Sequence, residues 1–203
     1  MQNQQQNFTD TTQLPPQRHY GGHDMFDAHE ALSSLTGAMD QCVLYEQYIQ
    51  DPELQTMSQK HRAFSSQLYN TIVDTFQSGQ DPAVDTQSYK MDQNNNVMYG
   101  MQPPAQPKTP IQSTNELNDQ CISGFMMASL KSAASAFTNA SLEMTNPVMR
   151  RVLADSVPNL IEMAYEVFLY QNKNQYYQVP QLQPQDMQAF QQSYAPTPGT
   201  MPH

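Results

Sequence analysis

Two stretches of the chain, residues 19–77 and 113–178, carry apolar residues at the spacing of a helix face. In the first, Ala28, Leu32, Leu35, Met39, Cys42, Glu46 and Ile49 step by fours and threes along one side of a long helix. Asp24 and Asp27 form a weak capping box at its start. Asp51-Pro52 then ends the pattern, because the residue before a proline avoids the helical region while proline suits a first helical position. A second helix follows with the stripe Leu54, Met57, His61, Phe64, Leu68 and Ile72, and Gly79 lies beyond its end.

The second stretch repeats the plan. Ser113-Thr114-Asn115-Glu116 is a capping box for a third helix, whose face is Leu117, Cys121, Gly124, Ala128, Leu130, Ala134, Phe137 and Met144. Asn146-Pro147 opens a fourth. Its apolar set is Val148, Met149, Val152, Leu153, Leu160, Ile161, Met163, Ala164, Val167 and Phe168, wider than a stripe and so the most buried of the four. Pro158 falls inside it and predicts a kink. The Asp51-Pro52 and Asn146-Pro147 corners lie 95 positions apart. At that offset Leu35 matches Leu130, Ile49 matches Met144 and Ile72 matches Val167, an internal repeat of an αα-hairpin.

Between the hairpins, residues 78–112 hold Gly79, Pro82, Asn94-Asn95-Asn96, Gly100, Pro103-Pro104, Pro107 and Pro110, which makes them a linker. A connection that long predicts an all-α, ferritin-like four-helix bundle of two αα-hairpins joined by a long crossover. Residues 1–18 form a Gln/Asn-rich arm and residues 179–203 a tail with five prolines. Both are expected to be disordered, leaving 19–178 as the folded unit.

The run Asn118-Asp119-Gln120-Cys121-Ile122-Ser123-Gly124-Phe125 resembles the opening of the second hairpin in the spore coat protein F family, and so does Asn146-Pro147-Val148-Met149-Arg150-Arg151-Val152-Leu153-Ala154-Asp155-Ser156-Val157-Pro158-Asn159. The likeness continues through Glu162-Met163-Ala164-Tyr165-Glu166 and Tyr170-Gln171-Asn172-Lys173 to Tyr176-Tyr177. Gly21-Gly22-His23-Asp24 is similar to that family's Gly-Gly-His-Glu start. The resemblance spans about residues 19–182 and is more specific in the second hairpin. It implies a coat F domain, a non-catalytic structural role in the bacterial endospore coat, and other coat proteins as partners, with a homo-oligomer left open.

Composition agrees with an association protein. With 9 basic and 19 acidic residues the net charge is −10, which argues against nucleic acid and anionic membrane surfaces as partners. Charged residues are only 14% of the chain, and Gln and Asn take their place, so copies repel one another weakly. No basic-then-apolar leader and no membrane-length apolar run is visible, so synthesis in the cytoplasm without a signal peptide and no membrane insertion are expected.

Candidate chemistry is sparse. A di-metal site in such a bundle needs Glu-x-x-His on two helices. Here the matching positions read Ser58-x-x-His61 and Glu162-x-x-Tyr165, and Glu46, Glu162 and Glu166 alone make a poor iron site. Glu162 and Glu166 read better as a solvated or cap-bonded pair. A degenerate ferritin-like metal-binding or oxidase protein is the alternative function. His19, His23, Asp24, His29 and Glu30 cluster in the N-terminal arm at a spacing that fits no closed metal site. Cys42 and His61 are equidistant from the first corner and should meet in the core, where packing is the expected role, as for Cys121. Tyr20, Tyr89, Tyr99, Tyr176, Tyr177 and Tyr194 fall outside the stripes, where tyrosine could be cross-linked. The 14 Met are packing residues. No catalytic residue, metal ligand or cofactor is assigned.

Overall fold

The computed structural model describes residues 20–103, 107–197 and 199; the 1–18 arm and His19 lie outside them. The described chain is all-helical. Four long helices, α1 (Gly22–Glu46), α2 (Pro52–Ser78), α3 (Asp119–Glu143) and α4 (Pro147–Lys173), are followed by a short α5 (Pro184–Gln191). Both Pro corners act as the backbone rules require. Asp51 accepts from Glu53 N, Asn146 accepts from Val148 N and Met149 N, and each proline is the first helical residue. Gly79 closes α2 in the left-handed region at φ 67°, its N–H donating to the Thr75 carbonyl.

The four helices pack in a ring, α1 beside α2 and α3, and α4 beside α2 and α3. Hydrogen bonds between elements give their directions. Gln50 N and Asp51 N donate to Asp119 at the start of α3, and Thr145 N at the end of α3 donates to Asp24 at the start of α1, so α1 and α3 are antiparallel. His61 meets Glu166 and Glu53 meets Lys173, so α2 and α4 are antiparallel too. It follows that α2 and α3, diagonal to each other, run parallel. The chain leaving α2 must therefore travel the length of the bundle, about 40 Å for a 27-residue helix, before α3 can begin.

The core is built from Leu35, Leu54, Ile72, Ile122, Phe137, Met149, Leu153, Leu160, Met163 and Tyr170, all essentially solvent-free. Each contributes roughly 1.5–3 kcal/mol on burial. Ala28 and Ala31 of α1 and Ala133 and Ala140 of α3 are buried where those two helices face each other. Small side chains there allow close approach of the backbones.

Several expectations need correction. Ser113–Glu116 does not start α3; it forms a separate 3-10 turn, and α3 begins at Asp119 with Asn118 as its cap, because Asn118 Oδ1 accepts from Cys121 N. The buried face of α3 in its first turns is Ile122, Ser123, Met126 and Met127, while Ala128 is exposed, since small residues all round the helix concealed the true register. α1 starts at Gly22 with Gly21 as its cap residue, so Asp24 is not the cap residue paired with Asp27 but the third helical residue, whose carboxylate reaches back to accept from Gly21 N. Ile161 faces solvent. Pro158 lies inside α4, as expected, where it leaves the Ala154 carbonyl without its helical donor. The tail region, expected without an element, holds α5.

Candidate functional site

The 79–102 part of the crossover is a strap laid in the groove between α2 and α4. Strap positions rise along the chain as their partners on α2 fall and those on α4 rise. Val84 O accepts from Thr71 Oγ1, Lys90 O accepts from Lys60 Nζ, and Gln93 Nε2 donates to Glu53. On the other wall, α4 presents Asn159 and Glu166, seven residues apart and so on one face, and Asn172 six residues further on in its last turn. Asn159 accepts from Tyr89 N at 2.8 Å and donates to Gln87 O at 2.9 Å. Asn172 accepts from Met98 N at 2.6 Å and donates to Met98 O and Tyr177 O, each at 3.0 Å. Each asparagine thus supplies the donor and acceptor that a neighbouring strand would, which satisfies a backbone segment lying on a helix.

Between them sits the one fully buried carboxylate of α4. Glu166 is 1% exposed, and its Oε1 accepts from Asp92 N at 2.7 Å. Its Oε2 accepts from the Tyr89 hydroxyl and from His61 Nε2, the latter at 3.0 Å. Burial alone would raise the Glu166 pKa, but the His61 and Tyr89 hydrogen bonds and the Asp92 N–H outweigh it and hold the group at about 2. The carboxylate is therefore ionised, and His61 must carry its proton on Nε2. Desolvation lowers the His61 pKa despite its acidic neighbour, so the ring is neutral, and burial together with Glu166 raises that of Tyr89. Tyr89 is 5% exposed and packs edge-on against His61 and Phe64, with Lys60 Nζ 4.9 Å from its ring centre. Lys60 also pairs with Asp92 at 2.6 Å.

This arrangement is a latch. Both oxygens of Glu166 are used in holding strap to bundle. The reading of Glu166 as a solvated or cap-bonded residue is corrected: spacing alone could not show that a linker would cover it. Tyr89 is likewise corrected from a linker residue to a core residue. A ferritin-like di-metal centre does not fit these side chains. Glu46 is exposed and accepts from Gln59, Glu162 is half-buried, and Glu166 and His61 Nε2 are already paired.

Cys42 and His61 line one cavity of about 20 Å³ together with Met126 and Met163. Yet His61 bonds Glu166 instead, and burial raises the Cys42 pKa, which keeps it a poor nucleophile. The His61 Nδ1 atom is buried without a partner among the described residues. Cys121 is half-buried. The N-terminal cluster disperses. Asp24 is buried at the α3–α4 corner, while His23, His29 and Glu30 are exposed.

The latch makes the fold acid-sensitive. A neutral His61 with a lowered pKa favours the folded chain above its ordinary value of 6.5, and that advantage shrinks as pH falls below it, because the unfolded chain takes up the proton first. Glu166 adds a second loss between 4.5 and about 2. The urea midpoint should be flat between about pH 7 and 8 and fall from about pH 6.5 downward. A midpoint unchanged to pH 5 would show that His61 is not held neutral.

Comparison with known proteins matches residues 118–180 to the coat F domain, which is α3, α4 and the turn after them. The chain is also 46% identical over 182 residues to the spore coat protein F-like protein YhcQ of Bacillus subtilis, covering 90% of this chain and 83% of that protein. No solved structure matches. No helix of the described residues is long and apolar enough to cross a membrane. The second hairpin carries the domain match and the relative extends it over nearly the whole chain, so the protein belongs to the coat F domain family of spore coat protein F-like proteins.

Proposed function

We propose that this chain is a non-catalytic structural or assembly component of the bacterial endospore coat. Its folded unit is a ferritin-like four-helix bundle closed by the strap, and its low-complexity ends associate with other coat proteins. The observation that carries this is the 46% identity to a spore coat protein F-like protein over 90% of the chain. The latch supports the non-catalytic part, since Asn159, Glu166 and Asn172 of α4 are spent on holding the strap.

Association is supported by the side chains left outside the core. Leu182, Met187, Phe190 and Tyr194 of the tail are all exposed, Tyr194 at 88%. Tyr99 and Tyr177 are exposed as well, whereas Tyr20 donates its hydroxyl to Thr75 O and Tyr89 is buried. Cross-linking chemistry, if the coat uses it on this protein, belongs to Tyr99, Tyr177 and Tyr194.

The test is a fluorescent fusion followed through sporulation, with an immunoblot of extracted coat. Signal should gather around the forespore and remain with the coat. Deleting residues 183–203 should abolish incorporation while the purified protein melts within about 2 °C of the full chain, because α5 buries nothing. Diffuse signal in growing cells, or signal confined to the spore core, would reject the coat assignment.

A further inference from the structure

We propose that His23 and Asp27 of α1 and Glu143, the last residue of α3, form a binding site for one divalent transition metal of the Zn²⁺ class. His23 and Asp27 are one helical turn apart and share a face. Antiparallel packing brings the end of α3 to them, and the neighbouring contacts of Asp24 with Thr145 N and Thr145 Oγ1 hold the two helix ends together. One ligating atom from each of the three residues lies within 4.8 Å of the others. Ligands about 2.1 Å from a tetrahedral ion are about 3.4 Å apart, so an approach of little more than 1 Å closes the site.

The second observation is an orphan. Asp27 Oδ2 is shut from solvent and has no hydrogen-bond donor among the described residues. Leaving a carboxylate oxygen in that condition is costly. Beside it stands a second carboxylate, Glu143, and the ion pairs of the described residues, Lys60–Asp92, His61–Glu166 and Lys173–Glu53, bring no cation to either. A bound metal ion answers both the orphan and the repulsion.

The donor set selects the ion. One imidazole nitrogen with two carboxylate oxygens suits Zn²⁺, Co²⁺ or Mn²⁺; calcium prefers an all-oxygen shell and Cu(I) prefers thiolate and thioether. His23 and Glu143 are exposed, so water can complete the coordination. The site would staple the first turn of α1 to the end of α3 and is independent of the coat assignment.

The experiment is calorimetric titration of the untagged full chain with ZnCl₂ and, separately, CaCl₂, with thermal melts of each mixture. One Zn²⁺ should bind per chain, raising Tm by about 5 °C at a hundredfold excess over Kd. Ca²⁺ should give no saturable heat. His23→Ala and Glu143→Gln change exposed side chains, so both fold; each should weaken Zn²⁺ binding about 100-fold and abolish the Tm rise. No stoichiometric Zn²⁺ binding, or binding that survives both substitutions, would overturn the site, and equal affinity for Ca²⁺ would overturn its transition-metal character.

Discussion

Glu166→Ala should destabilise the protein by about 3–5 kcal/mol and free the strap. The substitution removes a buried charged acceptor and leaves three donors, His61 Nε2, the Tyr89 hydroxyl and Asp92 N, without a partner. It also loosens Tyr89, whose ring is part of the core. Against a total stability of about 5–15 kcal/mol that is a large share. Two measurements check it. The urea midpoint should fall, and limited proteolysis should begin to cut between residues 85 and 102 while α1 to α4 stay intact. Glu166→Gln keeps one acceptor oxygen but turns an amide N–H₂ toward donors, so its loss should be roughly half as great. Tyr89→Phe, which removes one of the three donors, should cost only about 1–2 kcal/mol. A strap that stays protease-resistant in Glu166→Ala would mean that Asn159 and Asn172 hold it without the carboxylate.

The second large effect is expected at Asp24. This residue is fully buried, and its carboxylate accepts from Gly21 N at 3.2 Å, Thr145 N at 2.8 Å and the Thr145 hydroxyl. These bonds outweigh burial and lower its pKa. At the offset of the internal repeat, Asp24 corresponds to Asp119, and the Asp119 carboxylate accepts from Gln50 N at 2.9 Å and Asp51 N at 3.1 Å. Each hairpin therefore uses an aspartate in its first turn to hold the corner of the other hairpin. Asp24→Ala should cost about 3 kcal/mol, since it empties a fully buried position and takes the acceptor from three donors at once. Asp119→Ala should cost about 1–2 kcal/mol, because its corner is partly open to water, which can replace the carboxylate. The two clamps stand at opposite ends of a 25-residue helix, about 37 Å apart, so the double variant should show the sum of the two losses. Chemical denaturation of the three variants checks this. A double variant no worse than Asp24→Ala alone would show that one clamp sets the register of both corners.

The long crossover links these results to the sequence. Proline corners and the repeat predicted two helical hairpins, and the length of residues 78–112 implied that α2 and α3 run parallel. That inference needed only chain geometry: an antiparallel α2 and α3 could have been joined by a few residues. What composition could not tell was where the connection would lie. Its Pro, Asn and Gly content marks a segment without regular structure, and such a segment is floating or docked according to the partners it finds.

Those partners were present in the sequence without a signature. Asn159, Glu166 and Asn172 interrupt the apolar face of α4, and a polar residue on an apolar face reads as solvent-facing when periodicity is the only guide. His61 lay on the α2 stripe and was read as core, yet nothing in its spacing pointed to a residue 105 positions away. The metal-binding triad was half visible, as His23 among acidic residues. Its third ligand, Glu143, comes from the far end of another helix, and the Asp24 once grouped with His23 serves the corner instead.

By itself the sequence determined the helices, their stops and the pairing into hairpins, because these follow from local backbone preferences and from the period at which apolar side chains recur. Its resemblance to the coat F family came from the same local runs. The tertiary structure alone decided the polar connections: the strap on Glu166, the crossed aspartate clamps, and the meeting of His23 and Asp27 with Glu143. Burial of apolar surface is non-directional and leaves a periodic trace along the chain. A buried hydrogen bond is directional and pairs two residues at no fixed separation, so it is settled only when the helices have packed.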